Sequence, residues 1–292
     1  MLARAFVALQ YLLPQHLLSR GVLWLTRRRQ RWLRVPLTRL FLRGFRPDLS
    51  DALQPDAFAY PDFNSFFTRA LRADARPMPA SPDAIASPVD GTVSQAGRIE
   101  DGRLLQAKGR HYTLEALLAG RENWIESLRG GRFATIYLAP YNYHRVHMPL
   151  DGRLTAAWHV PGKLFSVNAV TAAQVPGLFA RNERLVCGFD SERGPFAVVL
   201  VGALFVGSMS TVWHGDVTPH RRRTVTTLDP ASDAAPLSRA RGAELGRFNM
   251  GSTVILLLPP GAGHWDATLA PGRVLRVGQA IGRWTAPGAA AS

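Results

Sequence analysis

The chain predicts an α+β fold, with N-terminal basic amphipathic helices followed by a β-rich domain. Three observations carry that reading. Before Asp48 there are ten arginines, from Arg4 to Arg46, and no acidic residue, and large apolar side chains are interleaved with them. Beyond a proline-rich connector, DARPMPASPDAIASP (74–88), the signal changes to short β-prone runs separated by Gly, Pro and Asp-Gly. Hydrophobic content of 47% against 19% charged residues describes a folded chain with a substantial core.

The first 46 residues are predicted to be helical and broken at Pro14 and Pro36. The net charge of +14 resides mostly in this arm, because the rest of the chain holds 25 basic against 21 acidic residues. A localised basic segment attracts polyanions. Leu, Phe and Trp between the arginines at helical spacing indicate an anionic membrane surface as partner and not nucleic acid. Nothing reads as a bilayer span. The stretch Ala5–Leu25 is interrupted by Pro14, Gln15, His16 and Arg20, and the run Phe196–Val206 is too short. No small-residue cleavage site marks a secretory signal. The single cysteine, Cys187, excludes an internal disulfide framework and suits a reducing compartment.

Further along, FNSFFTRAL (63–71) is predicted helical, capped by Asp62 or Asn64. Helices are also expected at TLEALLA (113–119) and SVNAVTAAQV (166–175). Strands are expected at 133–140, 196–208, 253–260 and 273–284, an exposed loop at 229–242 and a frayed tail at 285–292.

Three motifs hold chemistry-bearing residues. SPVDGTV (87–93) contains Asp90-Gly91, which in isolation reads as a hairpin turn. YNYHRVHMP (141–149) carries His144 and His147. Their spacing suits two metal ligands, but no third ligand signature accompanies them, so general base and proton donor fit better. MGST (250–253) places Ser252 after Gly251, outside any G-x-S-x-G elbow. Asp90, His147 and Ser252 still have the chemistry of a triad, which geometry and not sequence order defines.

Together with FNSFFTRALR, LLQAKG, LFSVN, LFARNER and GSMSTVWHG, these motifs resemble the bacterial, pyruvoyl-dependent, membrane-associated (prokaryotic type I) phosphatidylserine decarboxylases over nearly the whole chain. The family pattern Leu-Gly-Ser-Thr is departed from only by Met250, a change of similar volume. The resemblance implies a proenzyme with a membrane-associating arm at 1–46 and a catalytic domain at 47–292. That domain would cut itself into a beta chain, 1–251, and an alpha chain, 252–292, which stay together as a heterodimer. Ser252, activated by His147 with Asp90 orienting the imidazole, would attack the carbonyl of Gly251. Elimination and hydrolysis would then leave a covalent pyruvoyl group at residue 252, with no metal and no pyridoxal phosphate. Phosphatidylserine would be converted to phosphatidylethanolamine and carbon dioxide at the cytoplasmic face of the bacterial membrane, with the enzyme bound peripherally. His144 is the expected proton donor, Ser166 an expected substrate contact, and homo-oligomers are compatible with this reading. The alternative is a serine hydrolase acting on phospholipids with the same three residues. A non-enzymatic surface-binding protein would leave the three motifs unused.

Overall fold

The computed structural model describes residues 2–205, 208–218, 224–228 and 237–284. The arm forms three helices, α1 (Leu2–Leu12), α2 (Gln15–Thr26) and α3 (Arg31–Phe45). The first break falls at Pro14 as expected. The second falls at Arg27–Gln30, and Pro36 lies inside α3. A proline there forfeits one backbone hydrogen bond. The helix persists because Phe41 is buried among the rings of Phe63, Phe66 and Phe67, at centroid distances of 5.2, 5.9 and 5.8 Å.

The arm presents its faces in the opposite sense to an ordinary surface helix. Gln10, Gln15, Ser19, Thr26 and Thr38 are buried against the body. Leu9, Leu12, Leu17, Trp24, Trp32 and Leu40 face outward, Leu12 at 83% and Trp32 at 73% exposure. Large apolar groups held in the open, rimmed by arginine, mark a surface built to be covered. No helix among the described residues is long and apolar enough to cross a membrane.

The short helix α4 (Phe63–Phe67) starts at Asp62, whose side chain accepts from the N–H of Ser65 at 2.8 Å. Beyond it the body is built on a nine-stranded antiparallel sheet among the described residues. At its centre lies Thr253–Leu258, buried along its whole length. It pairs with Arg132–Tyr137 on one side, Thr253 opposite Tyr137, and with Gly194–Val201 on the other, Thr253 opposite Val201. Burial on both faces explains the uninterrupted apolar run Val254–Leu258. A smaller, four-stranded sheet contains Arg145–His147 paired with Glu244–Phe248. The chain therefore leaves the small sheet at Phe248 and enters the large one at Thr253, with Asn249–Ser252 as the link.

Some expected elements change shape. The apolar run after residue 196 is strand only to Val201, and 273–284 splits into Val274–Leu275 and Ala280–Arg283. The helix expected over 166–175 contracts to Ala169–Ala172, capped by Asn168. Asp90-Gly91 is not a hairpin turn. The strand before it, Ala84–Ala86, pairs with Ala280–Arg283, and Gly91 opens the strand Gly91–Arg98. A Cβ on Gly91 would stand 2.5 Å from the Tyr137 carbonyl oxygen, so close backbone approach and not turn geometry requires the glycine. Most of the loop expected at 229–242 and the tail 285–292 lie outside the described residues.

Candidate active site

Ser252 sits at the head of the central strand with zero exposure, and its Oγ has no hydrogen-bond partner. Its carbonyl oxygen accepts from the N–H of Leu138 at 2.7 Å, which holds the segment against the neighbouring strand. Gly251 admits no side chain. A Cβ there would lie 2.8 Å from His144 Nε2 and 3.3 Å from the Leu138 carbonyl. The residue before the serine is thus a glycine because an imidazole occupies the adjoining space.

That imidazole is fully buried. His144 Nδ1 bonds the Asn142 carbonyl at 2.8 Å, which assigns the proton to Nδ1 and leaves Nε2 as an acceptor. Nε2 has no partner of its own and lies toward Gly251. The Phe67 ring covers His144 at 4.1 Å between centroids, so the FNSFF helix forms one wall of the site. Burial, reinforced by the nearby Arg69 cation, pushes the His144 pKa down to about 3.

His147 has different surroundings. Its Nδ1 bonds the Gly242 carbonyl at 2.7 Å, and its Nε2 accepts from the Tyr143 hydroxyl at 3.0 Å, the two rings stacking. Its backbone N–H donates to Pro88, two residues before Asp90. Burial lowers its pKa as well, but the Gly242 carbonyl and the carboxylates of Glu244 and Asp90 oppose the fall. The Asp90 carboxylate is engaged elsewhere. It takes two bonds from Arg76, at 3.0 and 2.6 Å, and one from the N–H of Val277 at 2.7 Å. No hydrogen bond joins His147 to Asp90 or to Ser252.

Of the residues selected from sequence, the structure thus brings His144 against Gly251 and Ser252. It holds His147 beside the Asp90 turn through its backbone. Ser166 lies on a separate segment, its N–H bonded to Gln10 of the arm. Sequence reasoning missed Arg76, Tyr143 and Arg69. Arg69 is 3% exposed, and its Nε and Nη1 have no partner. Its Nη2 donates to the Tyr141 carbonyl at 3.4 Å, so a buried guanidinium with two open N–H groups is a candidate anchor for an acidic group.

The two histidines make stability depend on pH with a definite sign. An unfolded histidine titrates near 6.5, whereas the folded His144 resists protonation to about 3, and His147 shifts in the same direction. Their contribution is complete above pH 6.5 and is lost as pH falls below it, at up to about 1.4 kcal/mol per pH unit for each. Urea midpoints are expected to fall between pH 7.5 and 5.5, and less so in His144→Phe. An equal decline in both proteins would show that His144 is not held neutral by burial.

Comparison with known proteins identifies the family. A family described as phosphatidylserine decarboxylase matches residues 63–283, and one described as PSD matches residues 5–46. The phosphatidylserine decarboxylase proenzyme of Azotobacter vinelandii is 53% identical over 280 residues, covering 96% of this chain and 98% of its own. The proenzymes of that name from Methylococcus capsulatus and Ectopseudomonas mendocina are 50% and 51% identical over 279 residues, or 96% of this chain. They cover 96% and 98% of their own lengths. With half its residues shared along nearly its full length, and with Ser252, Gly251 and His144 together at one strand end, the chain belongs to the phosphatidylserine decarboxylase family.

Proposed function

We propose that the chain is a proenzyme that cuts itself between Gly251 and Ser252 and then converts phosphatidylserine to phosphatidylethanolamine and carbon dioxide. One observation supports this above the others: a buried serine hydroxyl without a partner, preceded by a glycine that lies against an unprotonated imidazole nitrogen. The hydrolase alternative finds no support, since the relatives are decarboxylase proenzymes by name.

In cleavage, Ser252 Oγ attacks the Gly251 carbonyl carbon and gives its proton to a neutral histidine, which passes it to the departing Ser252 nitrogen. The peptide bond becomes an ester. Elimination across Cα–Cβ releases the upstream chain as a carboxylate at Gly251, and hydrolysis of the remaining residue yields a pyruvoyl ketone and ammonia. The surroundings of residue 252 fit such a group, being buried and free of a competing hydrogen bond to its side chain. When present, the group supplies an electron sink for the charge left by departing carbon dioxide. His144 Nε2, which holds no proton at rest, is the proposed acceptor of the proton that the substrate ammonium sheds and its proposed donor to the adjacent carbon. Ser166 is the proposed headgroup contact and Arg69 the proposed partner of an acidic group.

His147, with Asp90, is the proposed base for cleavage. A second reading exchanges the histidines, because His144 and not His147 stands against Gly251. Electrostatics favours the first reading. A base works best with a pKa near the working pH, and His144 is displaced far below it.

Intact mass of the expressed protein tests the proposal together with carbon dioxide release from phosphatidylserine. The expected result is two fragments, the smaller beginning at residue 252 with a ketone in place of its amino group. A single full-length species that still releases carbon dioxide would overturn it.

A further inference from the structure

Gln10 and Gln15 are 1% and 6% exposed, on helices whose other faces carry Leu9, Leu12 and Leu17 into the open. Buried amides are retained where they are paired, and both pair with the same short segment of the body. Gln10 Oε1 accepts from the N–H of Ser166 at 2.7 Å, and Gln15 Oε1 from the N–H of Leu164 at 2.8 Å. Gln15 Nε2 donates to the Gln10 carbonyl at 2.7 Å, so α1 and α2 clasp the segment as a unit. Among the described side chains of α1 and α2, Val7 is the one buried apolar group. Tyr11 adds a ring contact with Phe165 of the same segment, at 4.8 Å between centroids, so the amides act on it beside one aromatic contact.

The far side of the segment leads to the reacting residues. Asn182 accepts from the N–H of Phe165 at 3.1 Å and donates to the carbonyls of Phe165 and Gly202, both at 2.8 Å. Gly202 follows Val201, the sheet partner of Thr253. Segment 164–168 thus lies between the arm and the strand end that carries Ser252.

We propose that Gln10 and Gln15 are positioning residues that transmit the seating of the arm on a lipid surface to segment 164–168, which Asn182 and Gly202 join to the strand end that carries Ser252. This rests on the membrane-surface reading of the arm. Insertion of the outward Leu and Trp side chains fixes the attitude of α1 and α2. The inward amides then fix the backbone at Leu164 and Ser166, ordering the segment when substrate is within reach. Turnover is coupled to docking in this way, whereas self-cleavage, which involves neither amide, is not.

Hydrogen exchange at 164–168 tests the coupling without relying on decarboxylation. The probe is a vesicle of equal parts phosphatidylglycerol and phosphatidylcholine. Wild type is expected to sediment with the vesicles and to gain roughly tenfold protection in this segment, the worth of about one hydrogen bond. The Gln10→Met, Gln15→Met double variant preserves volume but removes both acceptors. It should sediment and self-cleave normally, gain no protection, and lose roughly tenfold in kcat on phosphatidylserine vesicles. Gln10→Glu, which keeps an acceptor for the Ser166 N–H, should retain most of the turnover that Gln10→Met loses. Wild-type protection and kcat in the double variant would overturn the proposal. So would failed self-cleavage in both Gln10→Met and Gln10→Glu, which would make Gln10 a folding residue. Wild type that ignores vesicles would remove the membrane premise. Wild type that gains protection without decarboxylating would sustain the coupling and refute the proposed activity.

Discussion

Ser252→Ala is expected to give a full-length, folded protein with no decarboxylase activity. The fold should survive because Ser252 Oγ makes no hydrogen bond while fully buried. Removing an unpaired buried hydroxyl abolishes no native contact and relieves a desolvation penalty of about 1–3 kcal/mol. A thermal midpoint at or above that of unprocessed wild type should accompany the single band on a denaturing gel. Activity is lost wholly because the serine is both the nucleophile of cleavage and the source of the reactive group. Enzymes of this kind stand at least about 10⁶-fold above the uncatalysed rate, and that entire factor is forfeited. A partly active, uncut Ser252→Ala protein would place the electron sink elsewhere.

The second large effect separates the histidines. His147→Ala is expected to slow self-cleavage by roughly 10²–10⁴-fold, the usual worth of general base catalysis. His144→Ala should still be cut, yet turn over poorly by a similar factor. Burial lowers the pKa of both residues, and His144 is the more deeply buried of the two. Glu244 and Asp90 support the basicity of His147, whereas Arg69 weakens that of His144. His144 nevertheless lies against Gly251, next to the residue proposed to carry the reactive group. An uncut His144→Ala protein alongside a normally cut His147→Ala protein would reverse the roles, and time courses of fragment appearance decide it.

How much of this was legible in the sequence depended on how local each constraint is. Gly251-Ser252 stood out because the proposed chemistry needs those residue types in adjacent positions. The helices of the arm were legible because apolar residues at helical spacing and the break at Pro14 are local signals that need no reference to the rest of the fold. Arg76 was hidden in a proline-rich connector, since only the tertiary structure brings its guanidinium to Asp90. Gln10 and Gln15 looked like minor interruptions of an apolar helix. Their importance appears once the apolar side is seen to face outward, a reversal that periodicity alone does not orient. Asp90-Gly91 misled because local turn preference was overridden by the approach of the Tyr137 backbone. Pro36 misled because ring packing around Phe41 outweighed a missing hydrogen bond.

The link between the two sheets has a consequence for the life history of the molecule. Thr253–Leu258 is locked between two neighbours, and Val277, also downstream of the cut, holds the Asp90 carboxylate. On the proposed cleavage the small fragment would be a keystone, locked in the sheet before and after the cut. Maturation on this plan would run once and in one direction. A worn-out catalyst would not be recharged from a pool of diffusible cofactor, because its reactive group would be part of a strand at the middle of the sheet. The capacity of the cell for this reaction would be set by synthesis of new chains and not by vitamin supply.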